Sequence, residues 1–178
     1  MIAAGATPVI RRLDAAGAKA EIAALAEVLK DCVDDGAAVN FLMPFSDAQA
    51  RAFWERAIAE IAAGKAVLLV ADHEGRLAGT VMLGLDTPPN QPHRADVKKM
   101  LVHRRARRRG LARALLQAIE AEARGLGRTL LTLDTRHGDN AEPLYQGMGY
   151  VLVGVVPGYS LASTGGLDAA AFYYKQLD

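Results

Sequence analysis

Apolar residues recur along the chain at helical spacing in some stretches and as compact runs in others, and the two kinds alternate. Thr7 to Leu13 (Thr-Pro-Val-Ile-Arg-Arg-Leu) predicts a short first strand, with Pro8 tolerated at its start. Ile22, Leu25, Val28, Leu29 and Cys32 then share one face of a helix over Ala18–Val33, which Asp34-Asp35-Gly36 ends. Ala37 to Phe45 is a loop carrying Phe41, Leu42, Met43 and Phe45. It suits either a lid on the core or a wall of a substrate pocket. Ser46-x-x-Gln49 has the form of a capping box, in which each side chain satisfies a free backbone donor. Ala50, Phe53, Trp54, Ala57, Ile58 and Ile61 follow at helical spacing, and Gly64 is the stop. Trp54 reads as a core anchor.

Lys65–Ala71 and Leu77–Leu85 predict a hairpin across the turn Asp72–Gly75, with His73 at the surface. Pro88, Pro89 and Pro92 stiffen the connector Asp86–His93. The central unit comes next. Val97 to Val102 is a buried strand, an arginine-rich loop follows, and Leu111, Ala114, Leu115 and Ile119 define one face of a helix running to about Arg124. Arg128–Leu133 is a strand leading into Asp134-Thr135, where polar residues commonly line a ligand crevice. Ala141–Met148 is a short helix, with Pro143 allowed only in its first turn. Val151–Val155 and Ala169–Leu177 are the last strands, with turns at Pro157-Gly158 and Gly165-Gly166. The order β-α-α-β-β-β-α-β-α-β-β predicts a mixed α/β (α+β) fold, with helices against a largely antiparallel sheet.

Composition narrows the function classes. At 178 residues the chain fits a single domain, 1–178, with a sizeable core. The net charge is only +1, yet eight of the 21 Lys and Arg lie between Arg94 and Arg109, which points to a local anion site. Gly110 allows a tight turn, and a helix N-terminus presents unpaired N–H groups and partial positive charge. Arg107, Arg108 and Arg109 precede that terminus, so a phosphorylated cofactor is expected there. Cys32 is the only cysteine, which excludes an internal disulfide and suits a reducing cytoplasm. No apolar run approaches membrane-spanning length, and the N-terminus does not read as a signal peptide. The histidines lack ligand spacing, so no metal is expected.

Three features together resemble the GNAT superfamily of acyl-CoA-dependent N-acetyltransferases. Arg107-x-x-Gly110-x-Ala112 between strand and helix is similar to the superfamily's pyrophosphate loop. The element order matches over nearly the whole chain. Ala141-Glu-Pro-Leu-Tyr145-x-x-x-Gly149-Tyr150 is similar to its short helix with tyrosine and following Gly-Phe/Tyr. The superfamily often has asparagine where Gly138 stands, and Asn140 lies closer to the helix. More narrowly, Asn90-x-x-x-Arg94-Ala-Asp96-Val-x-Lys99 resembles the tabtoxin-resistance branch, as do Leu133-Asp134-Thr135 and the tail from Pro157-Gly-Tyr159 to Tyr173-x-Lys175.

The resemblance implies acetyl-CoA as co-substrate and a small-molecule amine, amino-acid-like or a toxin or antibiotic, as acceptor, joined in a ternary complex. It implies that Leu101 and Val102 bind the pantetheine arm and that the N–H groups of Arg107, Arg108, Arg109, Gly110, Leu111 and Ala112 cradle the diphosphate. Asp96 takes the place of a general-base glutamate, one methylene shorter, which favours proton transfer through water. Asp134 is a second acidic position, and Tyr145 protonates the leaving thiolate. The chemistry is consistent. A thioester is attacked only by a neutral amine, whereas an alkyl amine has a pKa near ~10.4, so a carboxylate base is needed. A strand N–H, with Val102 the candidate, would steady charge on the thioester oxygen.

Blander readings stand beside these. Asp96 next to Lys98 and Lys99 suits a surface ion pair, Asp134 a turn cap, and Tyr145 the core. A protein- or peptide-acetylating enzyme is the alternative within the class. Outside it, the arginine run suits a nucleic-acid-binding module, but no stacking aromatic lies between Arg94 and Leu116. No nucleic-acid or membrane partner is therefore expected, and a homodimer is compatible with the sequence. A P-loop or Rossmann nucleotide site lacks its glycine and lysine spacing.

Overall fold

β2 (Ala66–His73) and β3 (Arg76–Gly84) are apolar at almost every position because both of their faces are covered. In the computed structural model, which describes residues 8–37, 39–163 and 165–178, Val67, Leu69 and Ala71 of β2 enter one core. Ala66, Leu68 and Val70 enter the other, on the opposite side of the sheet. The turn joining β2 to β3 has Glu74 and Gly75 both at positive φ, 53° and 73°, which matches the twist of a tight hairpin.

Around this hairpin a seven-stranded sheet forms in the order β1-β2-β3-β4-β5-β7-β6, with β1 (Val9–Leu13), β4 (Arg94–Val102), β5 (Leu130–Arg136), β6 (Val151–Leu161) and β7 (Leu167–Gln176). Among the described residues every neighbouring pair is antiparallel except β4 with β5. On one face lie α1 (Ala15–Ala20), α2 (Ile22–Asp34) and α3 (Asp47–Ala62), closed around the fully buried Trp54. The Trp54 indole N–H donates to the Leu25 carbonyl at 2.9 Å, so its one polar atom is satisfied. The capping box of Ser46 and Gln49 starts α3.

On the other face lie α4 (Leu111–Gly125) and α5 (Glu142–Gly147). Leu111, Leu115, Leu116, Ile119 and Ala123 give α4 its buried stripe, and each large aliphatic side chain there contributes roughly 2 kcal/mol of burial. The helix sits so close to β3 that a Cβ on Gly79 would stand 3.0 Å from Leu115 Cδ1 and 3.1 Å from the Leu101 carbonyl. Glycine fits that crossing without displacing either neighbour.

The structure departs from the pattern-based expectation in several places. The first helix is two, broken at Glu21, whose carboxylate turns to Arg11 (2.8 and 3.1 Å) while Asp72 holds the same guanidinium. Thr7 lies outside the described residues, and β1 begins at Val9. β4 starts at Arg94 rather than Val97, and β5 carries on through Asp134 and Thr135 to Arg136. Pro157-Gly158 is not a turn between strands. It lies inside β6, where the register against β7 slips between Val156 and Ser160. A proline without an N–H is tolerated there because β6 is an edge strand. No described helix is long and apolar enough to cross a membrane.

Candidate active site

β4 and β5 run side by side for only three residue pairs, Arg94 with Leu130, Ala95 with Leu131 and Asp96 with Thr132. Both strands continue beyond that point, β4 to Val102 and β5 to Arg136, so they diverge and leave a wedge between them. A bulge in β4 contributes to the divergence. Thr80 faces Leu101 and Met82 faces Lys98, so β4 holds one residue more than β3 over that interval. Lys99 takes the strain with φ of 54°, and Thr80 Oγ1 donates to the Lys99 carbonyl at 2.9 Å.

The chain leaves β4 through a single 3-10 turn, Arg104–Ala106, and reaches α4 at Gly110, which has φ of 81°. No side chain caps α4 and its first turn holds no acidic residue. The N–H groups opening the helix are therefore free for an anion, and the helix field favours one. A Cβ on Gly110 would meet nothing within 4 Å, so the space before the helix is open.

The arginines divide between two tasks. Arg104 binds Asp31 at 2.9 Å, and Arg105 binds Glu27 at 2.8 Å. Arg107 binds Asp35 and donates to the Val102 carbonyl at 3.2 Å, while its own N–H closes the 3-10 turn onto Arg104. Arg107 thus faces α2, not the open terminus, and the free donors begin at Arg108. Arg108 and Arg109 have no ion pair among the described residues.

The expected acid–base residues are placed as follows. Asp96 is half-exposed at the narrow end of the wedge, and Arg94 and Thr132 both bind its Oδ1. The expected pairing with Lys98 or Lys99 does not occur: Lys98 lies 3.6 Å from Glu60 instead. Asp134 is two residues further along β5, on the same face as Thr132, exposed, with no hydrogen bond or ion pair among the described residues. Tyr145 projects from α5 and is only 6% exposed, packed on Tyr150 and Tyr173 at 5.7 and 6.1 Å between ring centres. Burial, with the charges of Asp139 and Asp134, pushes its hydroxyl well above the usual tyrosine range, so it stays protonated. Asp134 also acts on Lys99, whose pKa burial and Lys98 lower to about 8 against the pull of Asp134. One exposed carboxylate therefore exerts its field on groups of both β4 and α5.

The loop between α2 and α3 roofs this region. Arg136 donates to the Gly36 carbonyl at 3.1 Å, and Lys99 donates to the Val39 carbonyl at 2.8 Å. The same ammonium lies 5.3 Å from the Phe41 ring centre and 5.1 Å from that of Phe53. Phe45 is buried in the core and Phe41 packs on it, as a lid on the core would, while the same loop covers Lys99.

Four contributors are invisible to motif reading. Glu142 takes hydrogen bonds from the Tyr173 hydroxyl and the Gly138 N–H, which together with the nearby His137 hold it well below the ordinary carboxylate range. This anchors the start of α5 and hence Tyr145. Arg94 and Thr132 set the state of Asp96, and Lys99 belongs to the pocket rather than to a surface pair. Only a change of alternation at the bulge, Lys98-Lys99-Met100, hints at the last in sequence.

The acetyltransferase (GNAT) family model matches residues 23–150, and the chain belongs to that family. It is an N-acetyltransferase, and acetyl-CoA is the acyl donor of the family. Solved structures share the fold at low identity. An N-acetyltransferase from Staphylococcus aureus Mu50 superposes with TM-score 0.80 at 20% identity, covering 97% of this chain and 100% of that one. A ribosomal-protein-alanine N-acetyltransferase from Brucella melitensis gives 0.79 at 23%, over 95% and 99%. A Salmonella typhimurium protein, solved with acetyl-CoA as its cofactor, gives 0.78 at 22%, over 97% and 95%. The residues present fit such a carrier. The wedge would admit a narrow pantetheine arm, the uncapped α4 terminus offers N–H groups to a diphosphate, and Arg108 and Arg109 are free to meet further phosphate.

Proposed function

We propose that this protein acetylates the primary amine of a small molecule in a direct transfer, with Asp134 as general base and Tyr145 as general acid. The observation that supports this reading most is the β4–β5 wedge, which joins an open helix terminus at one end to an unpaired carboxylate at the other. Leu101 and Val102 extend β4 along the pantetheine arm. Arg108, Arg109, Gly110, Leu111 and Ala112 hold the diphosphate. Bound acetyl-CoA supplies an activated acetyl group. Asp134 removes one proton from the acceptor ammonium, directly or through water, and so exposes the nitrogen lone pair. The Val102 N–H steadies charge on the thioester oxygen. The C–N bond forms as the C–S bond breaks, Tyr145 gives its proton to the departing sulfur, and the second proton leaving the nitrogen passes to solvent, from which Tyr145 is reprotonated. Asp96, its charge balanced by Arg94, shapes the field of the wedge rather than accepting the proton.

The roof formed by Gly36, Val39 and Phe41 narrows access and favours a small acceptor, including amino-acid-like toxins or antibiotics, over a peptide. The test is acetyl-CoA with an amine panel and a thiol reagent, run beside a peptide panel. Thiol release with small amines supports the reading. Release with peptides alone would replace it by the peptide-acetylating one.

A further inference from the structure

Three costs meet at Lys99. It is a non-glycine residue at positive φ, 54°, a conformation that L side chains rarely adopt. Its ammonium is largely buried, which is unfavourable without a partner charge. Among the described residues no carboxylate lies within ion-pair distance of it, and of its three N–H donors only one has a hydrogen-bond acceptor, the Val39 carbonyl. An apolar side chain would fill the space between Phe41 and Phe53 at lower cost. Strain and a buried charge together at the mouth of a reaction cleft point to use by a ligand.

The surroundings say which ligand. Phe41 and Phe53 stabilise the cation through their ring faces but leave its remaining donors unfilled. Lys99 lies on one strand of the wedge and Asp134 on the other, close enough for their charges to interact. One wall thus offers a carboxylate to a cationic amine, and the other offers an ammonium to an anion. We propose that Lys99 is a specificity-determining residue that binds an anionic group carried near the acceptor's amine, so that the acceptor is zwitterionic, of the amino-acid class. This deepens the small-molecule reading above and rests on it.

The experiment compares amino acids with their primary amides and their aminophosphonate analogues at saturating acetyl-CoA, with rates expressed per free amine. The wild type should favour the anionic members by about tenfold or more in kcat/KM, a gap of the size one charged contact supports. In Lys99→Met the ratio should collapse toward one, and Lys99→Arg should restore part of it. A merely structural Lys99 would slow both kinds of acceptor equally and leave the ratio unchanged, and that result overturns the proposal. A ratio near one in the wild type overturns it as well, while leaving the small-molecule reading intact. A second readout needs no turnover. Butyrate, added to acetyl-CoA-loaded protein with ¹³C-labelled lysines, should move one lysine resonance that is missing in Lys99→Met. Absence of that movement refutes the anion site even if no amine in the panel is acetylated, whereas absence of acetylation with the movement present refutes only the small-molecule reading.

Discussion

The two carboxylates of the wedge are of the same residue type and lie one strand apart, yet their surroundings differ. Asp96 is held by Arg94 and Thr132 at the closed end, where β4 and β5 still pair. Asp134 sits past the point of divergence, exposed and without a partner among the described residues. A carboxylate already engaged by a guanidinium and a hydroxyl has its oxygens occupied, and one facing an open cleft has them free for a substrate. The local sequence gives both the same look, an aspartate on an apolar strand. What separates them is how far each stands from the last ladder pair.

The largest effect should come from breaking that contrast. Asp134→Asn is expected to lower kcat by about a hundredfold or more, the usual contribution of a general base. Asp96→Asn should cost only about threefold to tenfold, through the altered field. Steady-state rates at saturating acetyl-CoA measure both, and the opposite ranking would reassign the base to Asp96. Tyr145→Phe keeps the ring packing on Tyr150 and Tyr173 while removing the proton donor. It should lower kcat by roughly tenfold to a hundredfold with little change in melting temperature.

A smaller contrast sets Arg108 and Arg109 against Arg104. Replacing either of the first two by alanine should raise KM for acetyl-CoA by about fivefold, since each would remove one phosphate contact. Arg104→Ala, which loses only the Asp31 pair, should change it by less than about twofold. Equal effects would mean that the division of the arginines has no bearing on the cofactor.

The smallest effect concerns Lys99 and stability. Its pKa is near 8 in the folded chain and close to ~10.4 when unfolded, so between these values the unfolded chain binds more protons. The cost of burying the ammonium is then present in full below about pH 8 and is relieved as pH rises toward 10. The melting temperature of the wild type relative to Lys99→Met should therefore climb by a few degrees from pH 7 to pH 10. A flat difference would mean that the proton is held equally well in both states.

Much of this architecture can be read from the chain because its signals are local and agree. β2 and β3 are apolar throughout since both faces are buried, and α4 carries its stripe from Leu111 to Ala123. Ser46 and Gln49 announce the start of α3. What the chain does not show locally has a different cause, which is pairing at long range. Pro157-Gly158 has turn chemistry, but pairing with β7 through a bulge keeps it in a strand. Arg107 belongs to a loop that suits phosphate, but Asp35, 72 residues away, turns its side chain toward α2. The hydrogen bond between Asp96 and Thr132, 36 residues on, has no local signal either. Lys99 is hidden because a bulge shifts the alternation of β4, so the face a side chain takes no longer follows from its position.

The claim on which the rest depends is that the approach to α4 receives the diphosphate of acetyl-CoA. Calorimetric titration of acetyl-CoA into the wild type and into Gly110→Val tests it directly, with circular dichroism to show that the variant is folded. A valine at φ of 81° is strained and would place its methyl groups in the open space before the helix. One equivalent should bind to the wild type, with affinity reduced by about tenfold or more in the variant, as loss of one or two charge-assisted hydrogen bonds implies. Equal affinity for the two proteins, or no binding to the wild type, would contradict the account.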